Sequence, residues 1–122
     1  MIKVMLLDDD TDLLDMVCLM LSIPEMKPYC FDDCKQFMPV LEAETFDIVV
    51  MDVFLGECDG RSLCKQVKSM KEYSSLPVLL YSAGNISDAS IRESGADYFL
   101  QKPFDMHVLL EQIQTLAKRK TS

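Results

Sequence analysis

The sequence is poor in the residues that build zinc sites. It has one histidine, His107, and its five cysteines include no Cys-x-x-Cys pair. Structural zinc sites take cysteines and histidines at short, regular spacings, so we expect no zinc. The cysteine count is odd and no signal-peptide pattern opens the chain. We therefore expect a cytoplasmic protein whose thiols are reduced and serve mainly in core packing.

Positive charge is also scarce. Lysine and arginine number 12 against 20 aspartates and glutamates, which gives a formal net charge of −8. Nucleic-acid binding depends on lysines and arginines that neutralise phosphates, so this balance argues against a direct nucleic-acid partner and against an anionic membrane surface. We interpret the basic residues 118–120 as a complement to the C-terminal dipole of a last helix. No apolar run approaches the ~20 residues of a membrane span.

Glycine is limited to four positions, and none of them follows the first apolar run. The acidic stretch "DDDTD" (8–12) stands there instead. A flavodoxin-like electron-transfer protein needs a phosphate-cradling loop at this point, because backbone N–H groups bind the flavin phosphate. Four aspartates would repel that phosphate, so flavin binding is disfavoured.

Short apolar runs alternate with segments of helical periodicity along the whole chain. Continuous apolar runs are typical of strands buried on both faces, and strict alternation of strand and helix is typical of a parallel sheet. We predict an α/β fold, namely a (βα)5 doubly wound, five-stranded parallel sheet of flavodoxin-like order 2-1-3-4-5 with helices on both faces, in one domain over 1–122. The predicted strands are 2–7, 27–31, 46–52, 76–82 and 96–102, and the predicted helices are 11–22, 32–43, 59–70, 86–94 and 105–120.

Local signals refine these elements. Asp10 or Thr11 is the expected N-cap of the first helix. Pro28 predicts that the second strand lies at a sheet edge, since proline cannot donate to a ladder. Pro39 predicts a kink or a break in the second helix, and Gly95 predicts the end of the fourth.

Functional side chains follow four of the five predicted strands. Asp8 and Asp9 follow the first strand, Asp52 ends the third, Ser82 the fourth and Lys102 the fifth. The first and third strands are neighbours in the flavodoxin-like order, so three carboxylates are expected to converge at one edge. Converging carboxylates are costly unless cations neutralise them. Oxygen ligands suit Mg²⁺, with Mn²⁺ as an alternative, and Lys102 adds a further positive charge.

The same groups suit phosphoryl transfer. A carboxylate can act as a nucleophile and become an aspartyl-phosphate. A metal ion, a lysine and a hydroxyl can then hold the phosphate oxygens. An aspartate at a strand end is commonly only a helix cap, but the whole set at one edge indicates this chemistry.

On the stretches "LLDDD", "DIVVMDVFLGECDG", "VLLYSAG" and "GADYFLQKPF", the chain resembles the receiver domains of two-component response regulators, the CheY-like superfamily. The resemblance covers essentially the whole chain. It implies that Asp52 is the phosphoacceptor and shares Mg²⁺ with Asp8, Asp9 and the backbone carbonyl of Phe54. The other implied roles are the switch hydroxyl for Ser82, phosphate binding for Lys102, the aromatic switch for Phe99 and a cis peptide before Pro103.

The resemblance implies a phosphoacceptor switch in a phosphorelay, and not an enzyme, since such a domain catalyses only its own phosphorylation and dephosphorylation. A sensor histidine kinase or a phosphotransfer protein would supply the phosphoryl group from a phosphohistidine. The surface of the fourth helix, fifth strand and fifth helix would then change and regulate a downstream output protein. We expect no output domain within 1–122, in a stand-alone receiver or a piece of a larger regulator or hybrid kinase. The resemblance leaves open whether phosphorylation causes the domain to dimerise.

The chain departs from the family pattern at three places. The interval from Ser82 to Lys102 is shorter than usual, which predicts a shortened or displaced fourth helix. Gly56 stands where many family members have proline, which predicts a more mobile loop after Asp52. Phe54 cannot orient an attacking water through its apolar side chain, so we expect slow self-dephosphorylation.

Two other functions are less well supported. An aspartate-nucleophile hydrolase on a related α/β fold usually needs a second acid two residues after the nucleophile, where this chain has Phe54. A degenerate receiver that acts only as a binding surface would not need Asp9, Asp52, Ser82 and Lys102 together.

Overall fold

Strands and helices alternate along the chain in the computed structural model, which describes residues 1–121 and the side chains of 1–118. The basic side chains of residues 119 and 120, assigned above to a helix dipole, lie outside the described part. Short 3₁₀ turns cover Cys34–Gln36 and Lys71–Tyr73. The elements are β1 (Ile2–Leu7), α1 (Thr11–Met20), β2 (Met26–Phe31), α2 (Phe37–Ala43), β3 (Ile48–Asp52), β4 (Phe54–Leu55), β5 (Cys58–Asp59), α3 (Gly60–Ser69), β6 (Val78–Ser82), α4 (Asp88–Ser94), β7 (Tyr98–Gln101) and α5 (Met106–Thr121).

Five strands form a parallel sheet of order β2-β1-β3-β6-β7. Counted without the two short strands, this is the predicted order 2-1-3-4-5, and the flavodoxin-like fold is confirmed. The strand that carries Pro28 lies at the edge, paired only with β1, as its proline predicts. In the register of the sheet, Asp52 lies opposite Tyr81 and Ser82 lies opposite Gln101. The carboxyl ends of the central strands therefore meet at one edge.

The core has one apolar layer on each face of the sheet. Along β1, Val4 and Leu6 point into one layer and Met5 and Leu7 into the other, all of them 0% exposed. Continuous apolar runs are needed in such strands because both faces are covered. One layer is completed by Leu14, Val17, Leu109 and Ile113 of α1 and α5, the other by Phe37, Leu41, Cys64 and Val67 of α2 and α3.

The helix ends follow local capping chemistry. Asp10 caps α1, since its carboxylate accepts a hydrogen bond from the Leu13 N–H at 3.2 Å. Gly95 ends α4 at φ 81°, a left-handed conformation that glycine adopts without steric cost. The fourth helix has seven residues, the same number as α2, whereas α1 and α3 have ten each. The predicted second helix, 32–43, is divided into the turn at Cys34–Gln36 and α2, with Pro39 in the first turn of α2.

The loop after Asp52 forms a small hairpin of β4 and β5, which the sequence reading did not predict. Gly56 lies between these strands at φ 68°. Proline is held near −65° and cannot adopt this conformation. This conformation of the hairpin therefore excludes proline at position 56, where many family members have it.

The cysteines do not all remain as thiols. The structure pairs Cys18 with Cys30 and Cys34 with Cys58, at Cα–Cα distances of 6.4 and 6.3 Å. The expectation of reduced thiols throughout is therefore wrong in this structure. Sequence spacing did not reveal the pairs, because the sheet places β2 beside α1, and the hairpin beside the turn before α2. Cys64 is buried and unpaired, and burial raises the pKa of its thiol to about 11.

No helix within residues 1–121 is both long enough and apolar enough to cross a membrane.

Candidate functional site: the carboxyl edge of the sheet

Lys102 draws two carboxylates together at the carboxyl edge of the sheet. Its Nζ lies 2.7 Å from Oδ2 of Asp52 and 3.6 Å from Oδ2 of Asp8. The Lys102 side chain is 16% exposed and that of Asp8 is 0% exposed. Charges removed from water in this way need close partners. One ammonium against two carboxylates leaves this cluster with a net negative charge, which favours a further cation.

Each oxygen of the Asp8 carboxylate accepts a hydrogen bond. The Asp10 N–H donates to Oδ1 at 2.9 Å, and the Tyr81 hydroxyl donates to Oδ2 at 2.6 Å. Burial raises the pKa of Asp8, while these donors and the nearby Lys102 act in the opposite direction. Burial, and then the neighbouring Asp8, raise the pKa of Tyr81, so its hydroxyl remains a protonated donor at neutral pH.

Asp52 lies at the end of β3 and is nearly buried, with 7% exposure. The Phe54 N–H donates to Oδ1 of Asp52 at 3.0 Å, which leaves Oδ2 facing Lys102. A Cβ on Gly60 would collide with the backbone carbonyl of Asp52. The first residue of α3 must therefore be glycine for the helix to begin this close to the strand end.

Asp9 lies apart from the other two aspartates. Its side chain is exposed, and its Oδ2 lies 3.6 Å from the position that a Cβ on Gly56 would occupy. No three of the histidine, cysteine, aspartate and glutamate side chains described in 1–118 are grouped as a metal site. The predicted convergence is therefore observed for Asp8 and Asp52 but not for Asp9. The two aspartates follow the end of β1 at Leu7, and the chain bends at Asp9.

Ser82 ends β6 at 0% exposure, and its Oγ accepts a hydrogen bond from the Gly84 N–H at 3.0 Å. The Gln101 amide reinforces this turn, since its Nε2 donates to the carbonyls of Ser82 at 2.9 Å and Gly84 at 3.1 Å. The Lys102 N–H also donates to the Ser82 carbonyl, at 2.8 Å. These hydrogen bonds between the ends of β6 and β7 fix the position of Ser82 relative to Lys102.

Two features of the last strand concern the implied switch. Phe99 is half-buried, packs against the layer that contains Leu80, and lies opposite Leu80 in the sheet. The Lys102–Pro103 peptide bond is cis, the conformation that the resemblance implies.

Comparison with known proteins identifies the family. The family described as the response regulator receiver domain matches residues 4–114. This chain belongs to the response regulator receiver family.

Relatives of this receiver match it over nearly its whole length. The regulatory protein VirG of Agrobacterium fabrum is 32% identical over 122 residues, covering 98% of this chain and 47% of VirG. The chain thus spans about half the length of the curated relatives it matches. The receiver domain of the Francisella response regulator 1452 is 26% identical, with a TM-score of 0.86 and 98% coverage of both chains.

One solved neighbour is described as a complex that contains Mg²⁺. The response regulator protein TrrA of Thermotoga maritima, described as a complex with Mg²⁺ and BeF, is 16% identical with a TM-score of 0.84. Coverage is 95% of this chain and 99% of TrrA. At this identity the likeness concerns the fold alone.

The donor set of this receiver fits Mg²⁺. The side chains that Lys102 joins, Asp8 and Asp52, offer carboxylate oxygens without nitrogen or sulfur ligands. Mg²⁺ prefers such oxygens and keeps several waters, so it needs only one or two protein carboxylates. The pair of Asp8 and Asp52 matches that requirement.

Sequence reasoning missed two residues of the receiver's site. Tyr81 was counted as part of a buried strand, and Gln101 as part of the last one. A tyrosine inside a strand buried on both faces was the available signal, since a buried hydroxyl needs a partner. The partner, Asp8, is 73 residues away and emerges only from the fold.

Proposed function

We propose that this receiver is a Mg²⁺-dependent phosphoacceptor switch in the cytoplasm, phosphorylated on Asp52. The observation that carries the proposal is the Lys102 ammonium, 2.7 Å from Asp52 and 3.6 Å from Asp8 at the carboxyl edge of the sheet. The donor is a phosphohistidine of a sensor histidine kinase or phosphotransfer protein. The domain acts on a downstream output protein and is not itself an enzyme with an external substrate.

The chemistry assigned to Asp52 is a nucleophilic displacement at phosphorus. Oδ2 of Asp52 attacks, an oxygen–phosphorus bond forms, and the phosphorus–nitrogen bond to the donor histidine breaks. The imidazole leaves with that electron pair and takes up a proton. Phe54 N–H holds Oδ1 during this step, so only Oδ2 is presented to the donor.

The remaining residues stabilise the charge of the transferred group. Lys102 contacts the attacking oxygen before the reaction, and its ammonium then pairs with the oxygens of the transferred phosphoryl group. Ser82 supplies a hydroxyl from the neighbouring strand end. Asp8 and Asp52, the carboxylates that Lys102 joins, would hold Mg²⁺, which neutralises phosphoryl oxygens when bound. The resemblance adds Asp9 and the carbonyl of Phe54 as ligands, and for Asp9 this role requires its exposed side chain to turn toward the pair.

Phosphorylation then acts as a local charge event on a two-state element. The Ser82 hydroxyl moves toward the phosphoryl group, and Phe99 turns inward from its half-buried position. The face formed by α4, β7 and α5 changes with it. That face is where we expect the output protein to bind.

Mass spectrometry with a small phosphodonor tests the proposal. The receiver is incubated with Mg²⁺ and acetyl phosphate, and its intact mass is recorded. We expect the gain of one phosphoryl group, absent in Asp52→Asn and retained in Asp12→Asn, which removes an exposed carboxylate of α1. No gain with or without Mg²⁺ supports a scaffold function instead, and turnover of a phosphorylated substrate supports a hydrolase.

A further inference from the structure

Tyr81 links the buried carboxylate of Asp8 to the sheet. The side chain is 0% exposed, and its hydroxyl donates to Oδ2 of Asp8 at 2.6 Å. The Lys102 Nζ lies 4.7 Å from the centre of the Tyr81 ring, and the Phe104 ring packs at 5.4 Å. The backbone carbonyl of Tyr81 accepts from the Val53 N–H at 2.9 Å. Tyr81 therefore contacts the acidic site through both its backbone and its side chain.

The hydroxyl fixes one end of the Asp8 carboxylate. The Asp10 N–H fixes the other oxygen, so the carboxylate cannot rotate without losing a hydrogen bond. Each ionised carboxylate has about four lone-pair sites. Two of those of Asp8 are used by these donors, which leaves others to face the site. The arrangement holds Asp8 in one orientation and still allows it to bind a cation.

Packing alone does not account for a tyrosine here. The surrounding layer is apolar, with Leu79, Leu100 and Leu109 among its members, and a phenylalanine would fill the same volume. The Tyr81 hydroxyl lies in this apolar layer and donates its hydrogen bond to the Asp8 carboxylate. Partners of this kind orient metal ligands in many proteins, and their removal typically lowers metal affinity about 10- to 100-fold.

We propose that Tyr81 is a positioning residue that holds Asp8 in the orientation needed for Mg²⁺. This inference rests on the proposed function, in which Asp8 is a metal ligand. Tyr81 does not touch the phosphoryl group; it acts through Asp8. Its loss weakens Mg²⁺ binding and leaves phosphoryl transfer at saturating Mg²⁺ little changed.

Isothermal titration of the receiver with Mg²⁺ measures this directly. For Tyr81→Phe we expect the dissociation constant to rise about tenfold or more. Tyr98→Phe is the matched control, because it removes a hydroxyl from the opposite end of the neighbouring strand β7. In acetyl phosphate assays over a range of Mg²⁺, the concentration giving half-maximal rate should rise for Tyr81→Phe while the maximal rate stays within about twofold.

A double-mutant cycle separates positioning from a general structural effect. In an Asp8→Ala background, Tyr81→Phe should have no further effect on Mg²⁺ affinity, because the oxygen atoms through which it acts are gone. Equal losses in both backgrounds would overturn the inference. So would an unchanged or tighter dissociation constant in Tyr81→Phe alone.

Failure of the inference and failure of the proposed function give different results. A wild-type receiver that binds no Mg²⁺ contradicts both. A wild-type receiver that binds Mg²⁺ and is phosphorylated on Asp52, while Tyr81→Phe binds equally well, contradicts only the inference. Should Tyr81→Phe unfold, Tyr81→Met tests the same contact, since it places an apolar side chain without a hydroxyl in the same buried position.

Discussion

The ring of Phe54 lies against the backbone of Gly84, so that a Cβ on Gly84 would come within 2.7 Å of the ring atom Cε2. Phe54 is 52% exposed. The contact joins the loop after Asp52 to the loop after Ser82. An apolar ring therefore stands beside the two residues assigned to the phosphoryl group.

Replacement of Phe54 should change the lifetime of the phosphorylated state. An apolar side chain cannot orient an attacking water, whereas the amide of Phe54→Asn can. We expect slow self-dephosphorylation in the wild type and a rate at least severalfold faster in Phe54→Asn. Loss of the phosphoryl mass after removal of acetyl phosphate provides the measurement.

A matched variant separates the water-orienting effect from simple loss of the ring. Phe54→Leu keeps an apolar group and should dephosphorylate close to the wild-type rate. A wild-type half-life of seconds, unchanged in Phe54→Asn, would refute the hypothesis.

Lys102 should speed the phosphorylation reaction, in addition to pairing with the carboxylates of Asp8 and Asp52. Lys102→Gln removes the positive charge that follows the phosphoryl oxygens, and we expect the phosphorylation rate to fall about 100-fold. Lys65→Gln removes an exposed lysine of α3 and serves as the control for net charge. Equal rates in Lys102→Gln and Lys65→Gln would remove Lys102 from the proposed mechanism.

The pair of Asp59 and Arg61 should make a pH-dependent contribution to stability. Arg61 Nη2 lies 2.7 Å from Asp59 Oδ2, and Nε donates to Oδ1 at 3.0 Å. Hydrogen bonding to Arg61 lowers the pKa of Asp59 below its ordinary value. A lowered pKa in the folded state means that the stabilisation is complete above the unfolded pKa and is lost as the pH falls through the folded value.

Asp59→Asn tests this contribution and keeps a side chain able to cap α3. Because the pair is partly exposed and screened by solvent, we expect a loss of about 0.5 kcal/mol in the free energy of unfolding at pH 6. At pH 3 the difference from wild type should shrink. Urea unfolding at both pH values checks it, and an equal difference at pH 6 and pH 3 would contradict the assignment.

The cysteine pairing predicts a specific labelling pattern. Protein prepared without reductant and unfolded should react with N-ethylmaleimide at one cysteine, Cys64, and at all five after reduction. Native Cys64 should react slowly at pH 8, because it is buried and its thiol pKa is about 11. Intact mass gives the count. Five labels without reductant would show that the thiols are reduced after all.

The sequence was sufficient for the architecture. Apolar runs such as 46–52 and helical patterns such as 105–120 report local burial, and their alternation leaves few topologies once crossovers are right-handed. Strand ends could be located to within two residues, so Asp52, Ser82 and Lys102 were placed at one edge. The hairpin after Asp52 was missed because β4 and β5 have two residues each, too few to show a period.

Local pattern and covalent order thus determined which residues form strands and helices, and which side chains stand at the carboxyl edge. The tertiary structure alone decided how those side chains meet. It joined Asp8 and Asp52 through Lys102, turned Asp9 toward Gly56, and placed Tyr81 against Asp8. Contacts between residues 50 or 73 positions apart leave no periodic trace in the chain, because they depend on which strands are neighbours and on which direction each side chain points.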